Sequence, residues 1–222
     1  MKRIKKIVAF SIALAALSIG FFLFEEQKYT WGSLVIAIMA CLPFFVKYEN
    51  GRNAAEIVVI AIMTSIAVLG RIIFVAVPGF KPVTAVVVIT AMYFGAHAGF
   101  ITGALAALVS NFYFGQGPWT PIQMLVWGLI GLLSGIIALP LKKSLVLRVL
   151  FGAFSGVLYT LIIELWTVIW LDGYFNIRRY LTLLVSSGWF TLMYLVSNVV
   201  FLLLLAKPIG KKLERIITKY GL

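Results

Sequence analysis

Eight apolar runs, at 7–24, 32–46, 55–77, 83–95, 98–114, 120–140, 146–171 and 180–206, are joined by short polar loops with no long soluble segment between them. Roughly 20 residues of helix cross a hydrocarbon core, and shorter helices suffice inside a packed bundle. Backbone in lipid must satisfy its own hydrogen bonds, so the runs are expected as helices. The chain is 63% hydrophobic and 12% charged, against about half apolar and a quarter charged in soluble domains. An all-α integral membrane protein of eight spans is the expected fold class. The 83–95 and 98–114 runs also read as one long bent helix, but Gly95 and Gly99 favour a turn, so two spans are expected. The basic, apolar N-terminus lacks a small-x-small cleavage site before Glu25 and Glu26, so 7–24 is read as a retained helix. The one cysteine, Cys41, offers no disulfide framework.

The net charge of +12 reads as a topology signal rather than a nucleic-acid footprint, because it falls in short loops between apolar runs. With eight spans both termini share a side. That side collects Lys2, Arg3, Lys5, Lys6, Lys47, Arg52, Lys142, Lys143, Arg148, Lys207, Lys211, Lys212, Arg215 and Lys219, whereas Lys28, Lys81, Arg178 and Arg179 fall opposite. Fourteen against four places the termini in the cytoplasm. The 207–222 segment is basic and amphipathic and is expected along the inner interface. The turn-rich clusters at 78–84 and 112–121 then lie together outside, forming the mouth of a pocket.

Polar groups inside the apolar runs mark candidate sites. Arg71 and Glu164 fall at similar depth, Arg71 about 9 Å from its span's outer end at 1.5 Å per residue. Two readings stay open: a structural ion pair, or a cavity lined by one or both groups. Lys81, Thr84, Asn111, Gln116, Thr120, Gln123 and Asp172 cluster near the same mouth. Phe74, Phe80, Tyr113, Trp119 and Trp127 supply aromatic walls. Small residues at Gly99, Gly103, Ala104, Ala106 and Ala107, and at Gly128, Gly131 and Gly135, permit close helix approach. Ala61 and Ser65 form a further small-xxx-small pair.

No G-x-x-x-x-G-K-[ST] loop, H-E-x-x-H pair or G-x-S-x-G elbow occurs. The lone His97 sits at the 95–99 hinge, far from Ser110. No metal or resident cofactor is expected, and the chain is read as a non-enzyme that binds a ligand without driving its movement.

Gly70-Arg71, FKPVTA at 80–85 and FGAHAGFITGALAALVSNFYFGQGPWTP at 94–121 resemble the substrate-binding S component of energy-coupling factor (ECF) transporters, most similarly the cobalamin-type members. The resemblance covers residues 54–210. It implies a six-helix substrate-binding core there, preceded by an additional two-helix membrane hairpin at 1–53 and followed by a basic cytoplasmic tail at 211–222. It also implies capture of a vitamin outside a bacterial cytoplasmic membrane, with the ligand capped by loops at 77–84, 112–120 and 171–180. Expected substrate-binding residues are Arg71, Phe74, Phe80, Lys81, Thr84, Asn111, Tyr113, Gln116, Trp119, Gln123 and Trp127. Ala61 and Ser65 would dock on a transmembrane T component, with Ser65 where the family usually has alanine. Two cytoplasmic ATPases would supply the energy, and the lipid bilayer is the remaining partner. Cobalamin or a related corrinoid is the first ligand expectation; riboflavin, queuosine, or a non-transport membrane enzyme or assembly factor are the alternatives.

Overall fold

A computed structural model describes residues 54–222 and, before them, only Ile19, Trp31, Gly32 and Val35. The expected spans at 7–24 and 32–46, and with them the 1–53 hairpin, fall outside the described residues. Seven helices follow: α1 (Ala54–Ile73), α2 (Val83–Phe114), α3 (Trp119–Ile136), α4 (Ala138–Lys143), α5 (Leu145–Asp172), α6 (Ile177–Ser186) and α7 (Gly188–Tyr220). Five of them, α1, α2, α3, α5 and α7, are long and apolar enough to cross a membrane. The protein is an all-helical integral membrane protein.

The helix α2 is a hairpin. Gly95 leaves helical geometry at φ 86°, ψ 178°, a region that only glycine enters without strain. A straight helix over this range would be about 48 Å long, yet the Lys81 ammonium lies 4.9 Å from the Phe114 ring centroid. The two limbs, 83–94 and 96–114, therefore run back along each other, as Gly95 and Gly99 led one to expect. Every residue from Val83 to Met92 is buried. A stretch apolar on all sides suits a post enclosed by other helices.

Glycines set the next layer. A Cβ on Gly131 would meet the Gly99 backbone, one on Gly103 the Trp127 carbonyl, and one on Gly135 the Ala96 backbone. The second limb of α2 and α3 thus pack backbone to backbone, and small residues are what permit that approach. On the other half, Gly156 faces the Leu195 backbone and Asn198 Nδ2 donates to the Gly152 carbonyl at 3.2 Å, which joins α5 to α7.

Four element boundaries differ from expectation, and the first is the 55–77 run, whose helix ends at Ile73 and so leaves Arg71 in its last turn. The 120–140 run ends at Ile136, with Ile137 at φ −102°, ψ 29° before α4. Pro140 is the cause, since its ring clashes with the carbonyl four residues earlier and it has no N–H to give. The last run begins at Gly188 rather than 180, and 177–186 forms a separate amphipathic helix. Asn176 starts that helix by accepting from the Arg178 and Arg179 amides, a cap that favours initiation at this point. The 207–222 segment continues α7 through Pro208 instead of forming its own interfacial helix. Burial of Gly210 and Leu213 against the bundle outweighs the lost proline donor, and the Tyr93 ring fills the space beside Gly210.

The two poles of the bundle carry different charge. Tyr93, beside the Gly95 turn, meets Lys142 at 4.4 Å, so α4 and the end of α7 collect their lysines and arginines there. Lys81, Arg178 and Arg179 lie at the other pole.

Gly131→Ala is expected to destabilise the protein by about 1–3 kcal/mol through overpacking, whereas Gly188→Ala, which meets nothing within 4 Å, should be neutral within about 0.5 kcal/mol. Thermal unfolding in detergent compares them, and equal midpoints would contradict the backbone-to-backbone packing.

Candidate functional site

Arg71 sits in the last turn of α1, where the carbonyl end of the helix dipole favours a cation. It is only 8% exposed. Its Nη1 donates to Ser110 Oγ and, at 2.8 Å, to Asn111 Oδ1. The guanidinium lies over the Phe114 ring at 4.6 Å and the Trp127 ring at 5.2 Å, and such faces attract cations most strongly where water is excluded. Nε has no partner.

Asn111 passes this anchoring on. Its Nδ2 donates to Thr120 Oγ1 and to Gln123 Oε1, both at 2.9 Å. With Oδ1 held by Arg71, the amide has one possible orientation. Thr120 Oγ1 also accepts from the Gly117 amide at 3.3 Å, and Trp166 Nε1 donates to the Pro118 carbonyl at 2.9 Å. The 115–118 loop is thereby tied to α2, α3 and α5.

Gln123 faces the bundle's second half. It shares the cavity wall with Tyr159 and Tyr194. The Tyr159 ring lies 5.2 Å from Trp127 and 4.8 Å from Tyr194. Here a cavity of about 200 Å³ opens between α3, α5, α7 and the Ser187 junction before α7, lined by Gln123, Tyr159, Thr160, Ile163, Glu164, Ser187, Phe190 and Tyr194. Thr160 is held by Thr191 Oγ1 at 3.0 Å.

Of the residues singled out from sequence, Gln123 and Glu164 line this cavity, with Arg71, Asn111 and Trp127 behind Gln123. Phe74 and Phe80 instead pack edge-on with each other at 5.8 Å and against Phe201 at 5.1 and 5.0 Å. Lys81 is fixed through its backbone, whose N–H donates to Ser197 Oγ at 2.7 Å and whose carbonyl accepts from the same hydroxyl. Burial, and secondarily the Arg71 charge, hold the Lys81 ammonium below its ordinary pKa. Thr84 is buried at the start of α2. Gln116 donates to the Leu108 carbonyl at 3.0 Å. Tyr113 and Trp119 are 63% and 45% exposed and project away from the cavity.

The Arg71–Glu164 ion pair does not form. Arg71 is committed to Ser110 and Asn111, while Glu164 stands beside Ser187 on the cavity wall. The helix α1 ends at Ile73, two residues past Arg71, whereas α5 continues eight residues past Glu164 to Asp172, and position along each run was all that the sequence supplied. Tyr159, Thr160, Ser187 and Tyr194 escaped attention there. Their signal was a set of polar or hydroxyl-bearing side chains within otherwise apolar runs, at 159, 160 and 164 on α5 and at 187 and 194 at and beyond the start of α7.

An apolar helical bundle with a polar-walled cavity of this kind is a membrane-embedded small-molecule binder. A family model described as the ECF-type riboflavin transporter, S component, matches residues 52–215, and the chain belongs to that family. It is therefore the substrate-binding, vitamin-type subunit of an ECF transporter, not an enzyme, and it works with a T component and ATPases. The match supports the S-component expectation but not the cobalamin-type specificity. No curated protein and no solved structure matches the chain.

Arg71→Ala and Asn111→Ala are each expected to cost about 2–4 kcal/mol, since each strands buried polar partners, and to show a coupling of about 1–3 kcal/mol in a double-mutant cycle. The cycle between Arg71→Ala and Glu164→Ala should be additive within about 0.5 kcal/mol. Thermal or denaturant unfolding of the purified variants reads both cycles; strong coupling in the second would restore the ion pair.

Proposed function

We propose that this S component captures riboflavin, or a flavin-like vitamin, from outside a bacterial cytoplasmic membrane, as an eight-span protein with both termini inside. The observation that carries the reading is the cavity wall, which joins two aromatic rings in tilted contact, Tyr159 and Tyr194, to hydrogen-bonding groups at Gln123, Thr160, Glu164 and Ser187. A flat heteroaromatic ring bearing a polyol needs both kinds of surface. The family match supports the same ligand. A corrinoid is far bulkier, and about 200 Å³ is below even the usual 300–1,000 Å³ of small-molecule sites, so the cavity receives one end of a flavin-sized molecule.

In this reading Gln123 touches the ligand, while Arg71, Asn111 and Trp127 hold it in register from behind. Tyr113, Gln116 and Trp119 belong to the lid at 112–120, and Phe74, Phe80, Lys81 and Thr84 support the neighbouring loop on α7. The charge difference between the poles supports a cytoplasmic Gly95 turn.

Docking on the T component falls to α1. Ala61 and Ser65 lie on its exposed stripe with Ile57, Val58, Ile62, Ile66, Leu69 and Ile73. The Ser65 hydroxyl donates to the Ala61 carbonyl at 2.9 Å, so its polarity is satisfied within the helix and the stripe presents a small, nearly apolar face. Close helix approach needs that.

Flavin fluorescence quenching on titration of the purified chain is the test. Saturable quenching by riboflavin is expected, weakened at least about tenfold by Tyr159→Leu through loss of ring contact and hydrogen bond. Binding of other vitamins but not of flavins would refute the ligand assignment. Ala61→Leu should bind riboflavin normally but fail to co-purify with the T component and ATPases; loss of binding would move Ala61 into the internal packing.

A further inference from the structure

Among the described residues that line the cavity, Glu164 alone has a carboxyl group, and no lysine or arginine shares the wall. The neighbouring cations are otherwise engaged. Arg71 bonds Ser110 and Asn111 and is separated from the cavity by Asn111 and Gln123. Arg179 pairs with Asp172 at 3.1 Å. Lys81 lies over the Phe114 ring. A sphere of about 200 Å³ is only about 7 Å across, within one screening length at physiological ionic strength. Any group that enters is therefore close to the carboxylate.

We propose that Glu164 is the specificity determinant of the cavity, accepting hydrogen bonds from a neutral ligand's hydroxyl or ring N–H groups and rejecting ligands that carry a phosphate. This rests on the vitamin-binding reading of the same cavity. A carboxylate offers acceptors only, so hydroxyl and N–H donors complement it. A phosphate brings like charge and acceptors without a cation to neutralise it, and in a site of reduced dielectric that repulsion is strong. A wall built for phosphate would show an arginine or lysine fork instead. Glu164 here shows none, and Gln123 and Ser187, its polar neighbours on the wall, are neutral.

The test uses the full chain in nanodiscs and two probes, riboflavin and its 5′-phosphate, titrated by fluorescence. The unmodified protein should favour the alcohol over the ester by at least about tenfold. Glu164→Gln, which keeps the shape and removes the charge, should bring the two affinities within about threefold, mainly by strengthening ester binding. Glu164→Asp should keep the discrimination. Glu164→Leu serves the same purpose if the glutamine variant does not fold. Equal affinities in the unmodified protein, or discrimination that survives Glu164→Gln or Glu164→Leu, overturn the role of Glu164 and leave the vitamin site standing. Binding of neither probe by the unmodified protein overturns the vitamin site and this inference with it.

Discussion

A guanidinium buried in an apolar bundle has to be met by whatever polar groups the fold can bring to it, because leaving it bare costs several kcal/mol. Arg71 is met without a carboxylate. The end of the α1 dipole, two hydrogen bonds to the last turn of α2, and two aromatic faces share the charge. Because the partners are neutral, their remaining hydrogen bonds stay available. Asn111 uses its own to hold Thr120 and Gln123. One buried cation thus orders the start of α3, the 115–118 loop and one wall of the cavity.

That ordering needs a firm base, and the glycines supply it. The second limb of α2 and α3 touch through their backbones at Gly99, Gly103, Gly131 and Gly135, leaving little room for the pair to slide. Across the seam, α5 and α7 bring Tyr159, Glu164, Ser187 and Tyr194 to the same space. The cavity lies where a tightly packed half meets a half joined to it mainly by side chains. A small-molecule site fits there, since ligand contacts can complete an interface that the protein itself leaves open.

Much of this was legible in the chain. Gly95 and Gly99 pointed to the hairpin, and the small residues on either side of it pointed to close packing. That the short 83–95 run is enclosed on every side by other helices was not legible, because an all-round apolar helix in a membrane can equally face lipid. The boundary at Ile137 was legible, had the reach of Pro140 back to residue 136 been counted. The path of α7 past Pro208 was not, because it depends on Tyr93, more than a hundred residues away, filling the space beside Gly210.

The lengths of the apolar runs, the composition and the charges of the loops by themselves determined that the chain is a helical membrane bundle, with Arg71, Asn111 and Gln123 gathered at one pole. Only the tertiary structure decided which of those groups meet. Depth in a membrane is a one-dimensional property that sequence spacing encodes directly. Azimuth, the direction in which each side chain points around its helix, depends on how every neighbouring helix is rotated. That is why Arg71 and Glu164, matched by their spacing in the sequence, face different partners, one holding the wall and the other lining it.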